Sequence, residues 1–168
     1  MINQNKKVLY LTQGAMIAAL YIILTYLANS LGLANYAIQV RFSEALTILP
    51  FFTPAAIPGL FAGCILSNLL TGCMPLDIIF GSLATLAGAF GTYALRKKSP
   101  WLAPLPPIIA NTIVVPFILS YVYQFEGSIP YFMLTVGAGE VISCGILGMI
   151  LLFALNRLGT AIPWRPRA

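Results

Sequence analysis

Four carboxylates, Glu44, Asp77, Glu126 and Glu140, are the only acids in a chain of 168 residues with 60% hydrophobic composition. Near them in sequence stand Gln39, Arg41 and Ser43, and farther along the amides Asn68 and Asn111. Carboxylates beside amides and one arginine suit the recognition of a small polar ligand through charge-assisted hydrogen bonds. They do not suit nucleophilic catalysis. The chain has no histidine, so His-based triads, proton shuttles and His metal sites are excluded. Cys64, Cys73 and Cys144 lie in apolar stretches without C-x-x-C spacing and read as small packing residues. No G-x-x-x-x-G-K-[ST] loop occurs, so any ATP used in this protein's work is bound by another chain.

The elements that position these residues are membrane helices. Charged residues make up 8% of the chain against about 25% in a soluble domain. Six spans of about 20 residues take up most of the length and leave short loops with no room for a soluble domain. Hydrophobic runs between Pro, Gly and polar breakers predict one domain over 1–168. Its helices are expected at Val8 to Asn29, Ile38 to Phe52, Pro54 to Cys73, Leu76 to Leu95, Trp101 to Tyr123 and Ile129 to Asn156. The first is too long for the apolar core of a signal peptide and reads as a retained helix.

Charge sets the orientation. With the N-terminus in the cytosol, Lys6, Lys7, Arg96, Lys97, Lys98, Arg157, Arg165 and Arg167 all fall inside, eight of the nine basic residues. Both termini are then cytosolic. Trp101 and Trp164 sit at the inner boundary, and Tyr36, Tyr121, Tyr123 and Tyr131 near the outer one, as an aromatic belt.

On this topology all four acids fall in the outer half. Arg41 and Glu44, spaced i, i+3 on the second helix, share a face. They form an internal ion pair, a wall of a binding cavity, or both. An ionised side chain at a span's centre costs about 2.5–3.5 kcal/mol, so such residues are usually paired or functional. Glu140 lies about ten residues into its helix, about 15 Å deep at 1.5 Å per residue. Gly137 and Gly139 before it admit close approach by a ligand or a backbone. Asp77 is either the N-cap of the fourth helix or a ligand contact. Glu126 reads as a solvated loop charge. Asn68 and Asn111 are interhelical hydrogen bonders or ligand contacts, with Asn68 nearer the outer cluster. Small residues form stripes at Gly14/Ala18, Ala15/Ala19 and Gly59/Gly63, and along Gly81, Ala84, Gly88 and Gly91. They serve packing within the bundle or docking onto another membrane protein. The predicted object is a small bundle with a net-acidic pocket opening outward and an apolar cytosolic half, suited to capture and hand-over.

The stretches Q-V-R-F-S-E-A-L from Gln39 to Leu46, G-L-F-A-G-C-I-L-S-N from Gly59 to Asn68 and D-I-I-F-G-S-L-A-T from Asp77 to Thr85, with Asn111 and Gly139-Glu140, resemble the QueT family. Its members are substrate-binding S components of energy-coupling factor (ECF) transporters assigned to queuosine precursors. The resemblance implies an all-α, six-helix S-component bundle in a prokaryotic cytoplasmic membrane, with no enzyme activity and no metal or cofactor of its own. It implies an EcfT-like membrane scaffold and two ABC ATPases as partners, which use the ATP and Mg, and docking through the Ala15/Ala19 stripe. The ligand implied is aminomethyl-deazaguanine or a close relative. An S component for another base or vitamin, and a stand-alone proton-coupled carrier, are the alternatives. For the implied ligand, Glu140 and either Glu44 or Asp77 divide the ring N–H pair and the aminomethyl cation. Asn68 or Gln39 serves the carbonyl, and Arg41 orients Glu44.

Overall fold

The structure is a computed structural model that describes residues 2–33 and 39–158, with side chains from residue 5 onward. Among the described residues all regular structure is helical. Six helices follow one another: α1 (Ile2–Ser30), α2 (Phe42–Phe51), α3 (Ala56–Leu70), α4 (Pro75–Leu95), α5 (Pro100–Val122) and α6 (Ile129–Leu158). Four of them, α1, α4, α5 and α6, are long and apolar enough to cross a membrane. Ile38, Tyr36, Trp164, Arg165 and Arg167 lie outside the described residues.

The surface is apolar and the interior carries the polar groups. Leu11, Ile23, Leu134 and Ile150 are each more than 60% exposed, whereas Ser43, Glu44, Thr47, Asn68, Asp77, Asn111 and Glu140 are buried. A water-soluble fold sorts these classes the other way. In hydrocarbon, polar side chains turn inward because only other protein groups can satisfy them there.

α2 corrects the expected second helix. It is a 3₁₀ helix that starts at Phe42, and Arg41 before it is extended, with φ −111° and ψ 109°. Gln39 and Arg41 are therefore not on a helix, and Arg41 and Glu44 do not share a helix face. At about 2.0 Å per residue, its ten residues reach about 20 Å, short of a hydrocarbon core of about 30 Å. It tolerates this because it is enclosed by α1, α3, α4 and α6, with Ser43, Glu44 and every residue from Leu46 to Pro50 buried. Irregular backbone at membrane depth survives where protein covers it. α3, with 15 residues, is about 22 Å long and also short.

Small residues set the helix spacing. A Cβ on Gly59 would stand 2.6 Å from the Gly14 carbonyl oxygen, and one on Gly63 would stand 3.1 Å from Ala18 Cα. The Gly14/Ala18 and Gly59/Gly63 stripes thus pack α1 on α3 inside the bundle. Ala15 and Ala19, one position on, remain exposed. On α4, Gly88 and Gly91 receive Pro107 and Pro106 of α5 at similarly close range. The proline-rich entry to α5 is therefore a packing surface.

α6 is not regular throughout. After Glu140 its turns widen to a π helix over Val141–Leu147 before α-helix resumes at Gly148. Such segments are rare and occur often at functional sites. Here the wider turns let Ser143, Cys144 and Gly148 address α2 and the segment before it, while Glu140 meets Asn111 of α5.

Candidate functional site

One end of the bundle holds a cavity of about 690 Å³. It is lined where chain elements reach that end: Thr25 and Asn29 late in α1, Gln39 and Arg41 before α2, and Asn68 at the close of α3. Asp77 opens α4, Ile118 and Leu119 stand near the end of α5, Tyr123, Phe125 and Glu126 follow it, and Tyr131, Phe132, Thr135 and Val136 stand early in α6. The basic residues Lys6, Lys7, Arg96, Lys97, Lys98 and Arg157 belong to the opposite ends of α1, α4 and α6. Arg41 apart, the described acids and bases are thus segregated along the bundle, as the charge pattern predicts.

The cavity has two kinds of wall. Thr25, Asn29, Gln39, Arg41, Asn68, Thr71 and Asp77 make a polar one. Val115, Ile118, Leu119, Phe125, Phe132 and Val136 make an apolar one, of which Val115, Leu119, Phe132 and Val136 form a packed cluster of their own. A flat ring with a polar edge matches this pairing of surfaces.

Asp77 corrects another expectation. The N-cap of α4 is Met74, not Asp77, which stands in the first turn. The Tyr123 hydroxyl donates to Asp77 Oδ2 at 2.8 Å and accepts from the Met74 N–H at 3.2 Å. Tyr123, read from sequence as a belt residue, therefore ties the end of α5 to the start of α4 and lines the cavity. Gly81 lets this carboxylate lie close against α4, since a Cβ there would stand 3.1 Å from Asp77 Oδ1 and 3.6 Å from Asn68 Nδ2.

Below the main cavity lies a recess of about 10 Å³, bordered by Glu44, Gly81, Thr85, Asn111 and Glu140. Gln39, Arg41, Val115 and Val136 line both spaces and separate them. The recess has about the room one water needs. Around it runs a buried network. Asn111 Nδ2 donates to Glu140 Oε1 at 3.1 Å and to Glu44 Oε2 at 3.5 Å. The Tyr21 hydroxyl donates to Glu44 Oε1, and Cys144 Sγ donates to Glu140 Oε2 at 3.1 Å. Glu44 is 1% exposed and Glu140 7%. The hydrogen bonds to the Glu44 carboxylate thus come from α1 and α5, and the expected pairing with Arg41 does not organise it.

Gln39 and Arg41 are held by α6. A Cβ on Gly139 would run into the Gln39 carbonyl oxygen, so the two backbones touch. The Arg41 N–H donates to Ser143 Oγ at 3.1 Å. The close approach expected at Gly139 is made by this backbone. Glu44, Glu140 and Cys144 also offer three ligand atoms within 4.8 Å of one another, which a cation could use. Their oxygens are engaged by Tyr21, Asn111 and Cys144 itself.

Of the expected site residues, Gln39, Arg41, Asn68 and Asp77 come together at the main cavity, and Glu44 and Glu140 lie beneath it. Glu126, expected to be a plain loop charge, is at the cavity rim and exposed. Sequence reasoning passed over Thr25, Asn29 and the apolar wall, read Tyr123 as a belt residue, and ranked Asn111 below Asn68. Asn111 is the one amide whose position between two buried acids is fixed only by tertiary packing.

The family model described as QueT transporter matches residues 11–157. The chain belongs to the QueT transporter family. A stretch of 72 residues is 39% identical to the queuosine precursor transporter QueT of Lactococcus lactis subsp. cremoris (strain MG1363), covering 43% of this chain and 42% of that one. The chain thus matches less than half the length of that curated relative. No solved structure matches it. As a member of the QueT transporter family with several apolar helices, the chain is a multi-pass membrane protein.

Proposed function

We propose that this chain is the substrate-binding S component of an ECF transporter in a prokaryotic cytoplasmic membrane, and that it captures a queuosine precursor of the deazaguanine type. The 690 Å³ cavity, with a polar wall facing an apolar one, is the observation that carries this reading. It suits a planar heterocycle, and the likeness to a queuosine precursor transporter supports the choice of heterocycle. All of 1–168 then forms one domain of six spans with both termini cytosolic. The cavity opens outward, because the basic clusters favour the cytosolic side and occupy the other helix ends.

The chain itself carries no catalytic role in this reading. Transport is driven by an EcfT-like scaffold and two ABC ATPases, which use the ATP and Mg. Docking runs along α1 through Ala15 and Ala19. Their exposure supports this, because the neighbouring Gly14/Ala18 stripe is already used inside the bundle. Cells expressing the chain with such an energising module are expected to accumulate labelled aminomethyl-deazaguanine. Cells expressing the chain alone, or with ATPases unable to hydrolyse ATP, are expected to bind it without accumulation. Accumulation by the chain alone would contradict dependence on partners and favour a proton-coupled carrier. Absence of accumulation by an assembled complex would contradict the substrate.

A further inference from the structure

We propose that Asp77, braced by Tyr123, and Arg41 together read the amino-lactam edge of the ligand ring, while Glu44 and Glu140 form the scaffold beneath it. The assignment rests on the deazaguanine reading above and reverses the division of labour that the sequence suggests. All four oxygens of Glu44 and Glu140 have protein hydrogen-bond partners. A carboxylate so engaged, next to a recess of about 10 Å³, has no room for a ring.

Asp77 is different. It is 6% exposed, lines the large cavity, and is held through Oδ2 by Tyr123. Its Oδ1 has no hydrogen-bond donor among the described residues, and the residue borders the large cavity rather than the recess. Because Tyr123 takes the Met74 N–H on its own oxygen, its proton points to Asp77. The carboxylate is thus oriented with Oδ1 free and a second lone pair left on Oδ2, so that both oxygens can accept from a ligand.

Arg41 borders the same cavity from an extended segment anchored on α6 at Gly139 and Ser143. A 2-amino-4-oxopyrimidine ring presents a carbonyl acceptor, a ring N–H and an amino group in a row. A guanidinium matches the first and a carboxylate the other two, as charge-assisted contacts. An adenine-type edge offers a donor where Arg41 needs an acceptor. The pair therefore selects the guanine-type ring, and the apolar wall accepts its face.

The test is calorimetric titration of three ligands into the full chain in detergent: aminomethyl-deazaguanine, its analogue lacking the 2-amino group, and its 4-amino analogue. The wild type is expected to favour the first over either analogue by about 100-fold. Asp77→Asn, nearly isosteric, is expected to weaken binding of the first by about 100-fold and to remove most of the penalty for losing the 2-amino group. Tyr123→Phe is expected to weaken binding about tenfold with the selectivity retained. Asp77→Asn protein with a normal thermal midpoint and undiminished selectivity would overturn the assignment and leave the deazaguanine reading standing. Wild-type protein that is folded but binds none of the three would overturn both. If Asp77→Asn does not fold, Arg41→Gln decides: lost discrimination against the 4-amino analogue supports the assignment, and retained discrimination overturns it.

Discussion

Gly139→Ala is expected to abolish ligand capture at concentrations that saturate the wild type. The added Cβ would collide with the Gln39 carbonyl oxygen and stand 3.0 Å from the Gln39 carbonyl carbon. Both are backbone atoms, so no side-chain rotation relieves the contact. Either α6 moves away from the segment before α2, or Gln39 to Arg41 is displaced from the cavity wall. Overpacking of this kind costs about 1–3 kcal/mol in stability, and displacement of a wall costs binding in addition. Gly137→Ala is the matched control. Its Cβ would meet Thr112 Cγ2 and Oγ1 at 3.4 Å, an ordinary contact with a side chain. Thermal unfolding and ligand titration of the two variants should separate them: Gly137→Ala near wild type in both, Gly139→Ala lowered in both. Equal behaviour would mean that α6 does not seat the Gln39–Arg41 segment.

The second large effect is expected at Asn111→Leu. Asn111 donates to both Glu44 and Glu140, and both acids are buried. Leucine has a similar size and no donor. Loss of the shared donor leaves two carboxylates facing each other, and an unmatched buried acceptor costs about 1–3 kcal/mol, more when it is charged. A loss of about 3 kcal/mol follows, read as a lower thermal midpoint in detergent. Glu140→Gln in the same chain is expected to recover part of it, because the amide brings its own donor and removes one acid. Without that recovery, Asn111 acts by packing rather than by joining the two acids.

The bundle and the end of it that holds the site were legible because they rest on strong signals. Long apolar runs mark α1, α4, α5 and α6, and the clusters at Lys6/Lys7 and Arg96 to Lys98 fix which helix ends stand together. Once those ends are fixed, Asn68, Asp77 and the Gln39–Arg41 stretch must meet. What the pattern could not show depends on contacts between distant residues. Arg41 lies off the helix because Ser143 and Gly139, about a hundred positions later, anchor its strand-like backbone. Asn111 is one amide in an apolar helix, and its meaning comes from Glu44 and Glu140 on two other elements. Tyr123 carries the same local signature whether it faces headgroups or a cavity, so its bond to Asp77 was invisible in the sequence. The stripe on α1 shows the same limit: periodicity finds Gly14/Ala18 and Ala15/Ala19 alike, and only packing against Gly59 and Gly63 tells which one is spoken for.

The central claim is that this chain alone captures a deazaguanine-type ligand, and calorimetric titration of aminomethyl-deazaguanine into the purified full chain in detergent tests it most directly. The account predicts saturable one-site binding by the chain without scaffold or ATPases, weaker binding of guanine, and none of thiamin. A folded chain that gives no binding heat with aminomethyl-deazaguanine, or that prefers thiamin, would contradict it.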